Sequence, residues 1–86
     1  MIQTEISATG TFKATPTMVK SVTLTAAAAA ATLVLRDGGA GGTVRLTLGA
    51  AIGTSVTAGY ILDPLAFGTD VHATIGGAAA VADIGY

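Results

Sequence analysis

Residues 32–48 of the chain have the sequence TLVLRDGGAGGTVRLTL, and this stretch decides the fold. Apolar residues alternate with polar ones on both sides of a glycine-rich centre at residues 38–42. Two alternating runs joined by a glycine-rich loop are the pattern of a β-hairpin. The stretch therefore predicts β structure in a chain whose alanine content would otherwise suggest helix.

The register of this hairpin follows from the side chains that should share a face. Leu35 opposite Val44 places all the apolar residues inward and sets Arg36 against Thr43. A shift of two residues would bring Arg36 opposite Arg45, a like-charge pair that destabilises a sheet. We therefore expect the first register. The inner face is expected to carry Leu33, Leu35, Val44, Leu46 and Leu48, and the outer face Thr32, Arg36, Thr43, Arg45 and Thr47.

Outward from the hairpin, further short strands and glycine turns are predicted on both sides. In residues 20–25, Val22 and Leu24 should face the core. The other predicted features are a turn at 50–54, a strand at 55–62 ended by Asp63-Pro64, a short apolar segment at 65–67, a turn at 68–69, a strand at 70–75 with Val71, Ala73 and Ile75 inward, a turn at 76–77 and a last strand at 79–86. This spacing indicates an all-β fold, a small antiparallel β-sandwich or jelly-roll-like domain over residues 18–86.

Two segments fit this pattern less directly. Residues 1–17 alternate only weakly, and we interpret them as an N-terminal arm or an edge strand with Pro16 at a boundary. Residues 26–31 are six alanines, for which propensity favours helix. The hydrogen bonds of so short a helix do not offset the free-energy cost of nucleating it. A tight connection is therefore expected, with a single helical turn as the alternative.

The composition is too apolar for a small domain that stands alone. Of the 86 residues, 51% are hydrophobic and 10% are charged. The charge-free stretches 21–35 and 46–62 are too short or too rich in Thr and Gly to span a membrane, and no secretory signal is recognisable at the start. Burial against other protein chains is therefore expected.

Charge and cysteine content exclude other classes of function. The net charge is −1 with the charges dispersed singly, so no nucleic-acid footprint is present. The chain has no cysteine, which leaves no disulfide framework and fits assembly in a reducing cytoplasm.

A search for catalytic or metal-binding residues finds little. His72 is the single histidine, and a metal site would need it with Asp70 and with Asp63 or Asp83. Ser55, His72 and Asp70 form a nominal catalytic trio without a nucleophile-elbow pattern. Residues 38–42 lack the lysine and the helix start of a phosphate loop. We predict no catalytic, cofactor or metal site, and no enzymatic activity.

The remaining conspicuous side chains have structural interpretations. Phe12 and Phe67 are expected to be core anchors. Arg36 and Arg45 are expected to be solvated or salt-bridged, although they could contact an acidic partner. Tyr60 and Tyr86 are the two tyrosines available to a carbohydrate platform.

The order of these motifs resembles a group of small structural proteins of about 80 residues encoded among the head and tail genes of tailed bacteriophages. The resemblance covers about residues 19–86 and departs at 63–67, where a glycine-rich proline turn is usual. It is carried by VTLT (22–25), an Ala/Thr connection, LVLRDG (33–38), GTV (42–44), LTL (46–48), AAIGTSV (50–56), FG (67–68) and ATIGGA (73–78).

This resemblance implies a β-sandwich that oligomerises, often as a trimer, and joins the virion after assembly in the host cytoplasm. Its partners would be other copies of the chain and the major capsid protein, in a decoration or cement role. A tail, neck or baseplate component and a surface carbohydrate-binding module are the alternatives.

Overall fold

The computed structural model describes residues 2–59 and 64–86 of the chain. These residues form ten strands and no helix, which confirms the all-β prediction. The strands are β1 (Gln3–Ile6), β2 (Gly10–Lys13), β3 (Thr17–Val19), β4 (Ser21–Thr25), β5 (Ala31–Asp37), β6 (Thr43–Ala50), β7 (Ser55–Gly59), β8 (Leu65–Phe67), β9 (Val71–Gly76) and β10 (Val81–Gly85). Within the described ranges, no helix is long and apolar enough to cross a membrane.

The strands form two four-stranded antiparallel sheets and one two-stranded ribbon. The first sheet has the order β1-β10-β4-β7, and the second has the order β2-β9-β5-β6. The ribbon pairs β3 with β8. This arrangement is consistent with the predicted small β-sandwich.

The hairpin is present as β5 and β6, but its predicted register is wrong. Leu35 faces Leu46, Arg36 faces Val44, and the register shifts between these two pairs. Arg45 is thereby the extra residue of a β-bulge, without a Cα partner in β5. The bulge keeps Arg36 and Arg45 from facing each other. The predicted pairing of Arg36 with Thr43 would have separated them as well.

The bulge also reverses the expected side of the residues near the loop. Val44 lies opposite Arg36 and is 50% exposed, so its predicted inward orientation is wrong. Thr43 pairs with Asp37 rather than with Arg36. Beyond the bulge, Leu33 and Leu35 are fully buried as predicted, but they pair with Leu48 and Leu46, two residues away from the predicted partners.

Both sheets contribute side chains to a common core. Val22 and Leu24 of β4 are fully buried, as predicted, and so are Val71 and Ala73 of β9. Phe67 is buried at the end of β8 and confirms its predicted anchoring role. Each sheet contributes two cross-strand rows: Thr4-Ile84-Val22-Ala58 and Ile6-Ala82-Leu24-Val56 in the first, Leu46-Leu35-Ala73 and Leu48-Leu33-Ile75 in the second.

Residues 26–30 form the connection between β4 and β5 without a helical turn, as predicted, and the sixth alanine, Ala31, begins β5. Ala26 and Ala31 are buried at its ends. The backbone of Ala26 is fixed from both sides, because its N–H donates to the Thr54 carbonyl at 2.9 Å and its carbonyl accepts from the Gly53 N–H at 3.0 Å. Small side chains thus let this connection lie against the turn between β6 and β7.

The N-terminal segment supplies one edge strand to each sheet. β1 pairs with β10 in the first sheet and β2 with β9 in the second. Between them, the Thr9 hydroxyl is hydrogen-bonded to both the carbonyl and the N–H of Ile75. Pro16 lies outside the strands, between β2 and β3. Of the predicted strand at 55–62, residues 55–59 form β7, and residues 60–62 and Asp63 lie outside the described residues.

Candidate functional site

Two aspartates lock the glycine loop of the hairpin to the segment before β9. The Asp37 carboxylate accepts hydrogen bonds from the N–H groups of Gly68 and Thr69, both at 2.8 Å, and of Asp70 at 3.3 Å. In return, Asp70 Oδ1 accepts from the N–H groups of Gly38 and Gly39 at 2.9 and 3.0 Å. We call this reciprocal pair of carboxylates, Asp37 and Asp70, the aspartate clasp.

The clasp explains both the charge state of Asp37 and the role of the loop. Hydrogen bonds from the Gly68 and Thr69 backbones lower the pKa of Asp37 below its ordinary value of 3.8. Gly38 and Gly39 adopt positive φ, at 104° and 82°, and present their N–H groups to Asp70. The N–H groups that a bound phosphate would need are therefore satisfied by the chain's own carboxylate.

The clasp also bears on the nominal metal and catalytic sets. Asp70 directs its carboxylate to the loop backbone, while Asp83 lies in β10 and Ser55 in β7, both in the first sheet. His72 lies in the second sheet. No group of three or more potential ligands is brought together within residues 2–59 and 64–86. Asp63, the remaining candidate ligand, falls outside those ranges.

His72 is more buried than its sequence pattern indicates. It stands between Thr11 of β2 and Arg36 of β5, on the outer side of the second sheet as expected. Its exposure is only 9%, so the side chain is not solvated. β9 is an inner strand with a neighbour on each side, which limits the solvent that reaches this position. His72 Nδ1 is buried without a hydrogen-bond partner among the described residues.

The two arginines of the hairpin have different surroundings. The Arg36 guanidinium reaches across the second sheet and donates from Nη1 to the Thr74 hydroxyl at 3.2 Å. Arg45 is exposed at the bulge and acts on Asp37 only through its charge. Arg36 is thus held by the sheet, while Arg45 stays accessible.

A groove lies where β2, β3 of the ribbon and the residue after β10 meet. Its volume is about 320 Å³. Among the described residues it is lined by two lysines and by uncharged side chains: Lys13, Thr15, Pro16, Thr17, Met18, Lys20 and Tyr86. We call it the lysine groove.

Tyr86 is the centre of the wall of this groove. Its ring meets the Phe12 ring edge-to-face, with 5.3 Å between centroids and an interplanar angle of 85°. The Lys13 ammonium lies 4.3 Å from the Tyr86 ring centroid, in a cation–π contact. Side-chain hydrogen bonds lower the pKa of the Tyr86 phenol, with the larger effect from Lys13 and the smaller from Thr4. Phe12, predicted as a core anchor, is half-buried and also supports this wall.

Sequence reasoning missed both the lysine groove and the clasp. Lys13 and Lys20 are seven positions apart in sequence, and Tyr86 is brought beside them only by the pairing of β10. A weak signal for the clasp was available, because Asp37 and Asp70 each stand beside a glycine turn, where aspartate commonly bonds the backbone.

Comparison with known proteins finds no family model, no curated protein and no solved structure that matches this chain.

Proposed function

We propose that this chain is a structural virion protein of a tailed bacteriophage. In this role it is a capsid decoration or cement protein without enzymatic activity, which self-associates and binds the major capsid protein. It joins the virion in the host cytoplasm. The support comes from the resemblance of its motif order and from the surface of the sandwich.

The observation that carries the proposal is the amount of large apolar surface left outside the core. Ile2, Met18, Val44 and Ile52 are between 49% and 61% exposed. They lie on four separate parts of the chain, before β1, in β3, in β6 and in the turn before β7. The chain has only four basic and five acidic residues, so few charges surround these side chains. Contacts with other protein chains would remove this surface from water.

One sheet edge supports the same conclusion. Natural sheets protect their edges with charges and bulges. β1 carries Glu5, β2 carries Lys13 beside a bulge, and β6 carries Arg45 at a bulge. β7 has the sequence SVTAG, pairs with β4 without a register shift and has no charge. This bare edge is suited to contact with a further chain.

Co-sedimentation with assembled capsids tests the proposal. The purified chain is mixed with capsid particles that lack it, the particles are separated on a density gradient, and bound copies are counted by quantitative mass spectrometry. We expect hundreds of copies per particle. Native mass spectrometry of the free protein should reveal an oligomer, with a trimer expected.

A surface variant separates specific binding from trapping in the gradient. Val44→Thr with Ile52→Thr removes two exposed apolar side chains and should lower capsid occupancy without unfolding the protein. Thr47→Ser, an exposed position on the same strand as Val44, is the matched control. A stable monomer that never sediments with capsids would refute the proposal. A dozen or fewer copies per virion would assign the chain to the tail, neck or baseplate instead.

A further inference from the structure

The lysine groove concentrates positive charge on a chain whose net charge is negative. Lys13 and Lys20 are two of the four lysines and arginines in the whole sequence. The groove contains no aspartate or glutamate among its lining residues. Two lysines that line one concavity without an acidic neighbour in the lining make it complementary to an anionic group.

The walls that hold the two lysines are fixed by the fold. The Tyr86 backbone pairs with Ile2 through two hydrogen bonds of 2.7 and 2.8 Å, which extend the β1–β10 ladder. The Phe12 ring supports the Tyr86 ring, which in turn positions Lys13. Lys20 is anchored by its N–H, which donates to the Gly85 carbonyl at 2.7 Å. A groove that is ordered in advance loses little conformational entropy on binding.

The groove also offers apolar surface beside its charges. Met18 is 49% exposed, and Pro16, two residues before it, is also exposed. A bare inorganic anion would leave this surface uncovered. A polypeptide segment that carries a carboxylate next to an aliphatic side chain would cover both parts of the groove. Its volume is at the lower end of the range of small ligand sites, which suits one or two side chains.

We propose that the lysine groove binds an acidic segment of a partner protein. A glutamate or aspartate side chain of that segment lies between the Lys13 and Lys20 ammonium groups, and a neighbouring aliphatic residue packs on Met18. This inference rests on the proposed function, because the partner is then a neighbouring virion protein. The lowered pKa of Tyr86 fits the arrangement, since the hydrogen bond from Lys13 also directs that ammonium towards the groove wall.

A peptide titration followed by NMR tests the inference in the full chain. The probe is an acetylated and amidated peptide of alternating glutamate and leucine, and its counterpart has glutamine in place of glutamate. We expect the acidic peptide alone to shift the signals of Lys13, Met18, Lys20 and Tyr86. Lys13→Gln with Lys20→Gln should weaken binding at least about ten-fold, the change that one charge-assisted hydrogen bond produces.

Matched variants keep the result independent of folding. Lys20→Gln alone leaves the Lys13–Tyr86 contact intact and should still weaken binding, whereas Arg45→Gln removes one exposed positive charge elsewhere and should not. Equal binding by all variants, or shifts that avoid the groove, would overturn the inference. The same shifts with inorganic phosphate at equal affinity would overturn it in favour of a small-anion site. Shifts that depend on protein concentration without peptide would assign the groove to a second copy.

The capsid experiment separates this inference from the proposed function. If wild-type protein binds capsids and the double lysine variant binds equally well, the groove is not the partner site while the structural role stands. If wild-type protein does not bind capsids but binds the acidic peptide through the lysines, the virion role fails while the acidic-segment specificity stands.

Discussion

At the scale of single residues, the aspartate clasp is the most exacting feature of this molecule. Asp37 accepts three backbone N–H groups and Asp70 accepts two, so two loops distant in sequence hold each other. Backbone N–H groups stabilise the charged carboxylate, which is why the pKa of Asp37 is lowered. The clasp therefore depends on ionisation as well as on geometry.

Asp37→Asn is expected to lower the thermal midpoint at neutral pH. The pKa of Asp37 is lower in the folded than in the unfolded state. Its contribution to the free energy of unfolding is therefore complete at a pH above the unfolded-state pKa, and it is lost as the pH falls through the folded-state pKa. The difference in midpoint between wild type and variant should therefore shrink as the pH falls below 3.8. Calorimetry between neutral and acidic pH measures this, with Glu5→Gln as the exposed control. A difference that stays constant with pH would contradict it.

His72 is a residue at which a polar atom costs stability. Nδ1 is buried without a partner, and such an atom loses its hydrogen bonds to water on folding. His72→Leu removes this atom at similar volume and is expected to raise the free energy of unfolding by about 1 kcal/mol. Urea denaturation at neutral pH measures the change. Thr11→Val, at the exposed neighbour across the β2–β9 pair, should have little effect. A loss of stability in His72→Leu would mean that the imidazole makes a favourable interaction.

At the scale of the elements, the hairpin loop has a position, Gly42, at which a side chain would collide with the backbone. A Cβ at Gly42 would overlap the Asp37 backbone and approach the Gly38 carbonyl carbon at 2.8 Å. Gly41, next to it, has open space around the same position. Gly42→Ala is expected to destabilise the fold by about 2 kcal/mol, and Gly41→Ala by much less. Chemical denaturation of the two variants compares them directly. Equal losses would show that the loop adapts to a side chain at either position.

The hairpin also marks how far local sequence reasoning reached. Alternation and glycine place β5 and β6 correctly, because these signals act within one segment. The register was wrong because the bulge at Arg45 depends on contacts outside the hairpin. β5 must pair with β9 on its other side, and Asp37 must reach residues 68–70. A bulge leaves no mark in a period-two pattern until the partner strands are known.

At the scale of the whole molecule, the lysine groove is harder to predict from the sequence than the fold. The sandwich follows from strand spacing, and buried residues such as Leu24 and Ala73 follow from alternation. The lysine groove combines side chains from β2, the β3–β4 link and the end of β10. Its members share no local pattern, since only the order of strands in the two sheets brings Lys13 beside Tyr86.

Strand order also decides which edge of the whole molecule is open to another chain. Among the four edge strands of the two four-stranded sheets, β7 is the one without a charge or a bulge, so a charge placed there should interfere with association while leaving the fold intact. Ser55→Lys is expected to change the free energy of unfolding by less than about 0.5 kcal/mol and to shift the oligomer towards monomer. Analytical ultracentrifugation over a range of concentrations measures the shift.

Thr25→Lys is the matched control for this charge. Thr25 is exposed and lies directly across from Ser55, but on the inner strand β4. The control adds the same charge one strand away from the edge, where it should leave backbone pairing along β7 unobstructed. If Ser55→Lys lowers association more than Thr25→Lys does, the contact lies along the β7 backbone. Equal effects would show that the association is sensitive to the charge of this face rather than to its edge, and would reject pairing through β7.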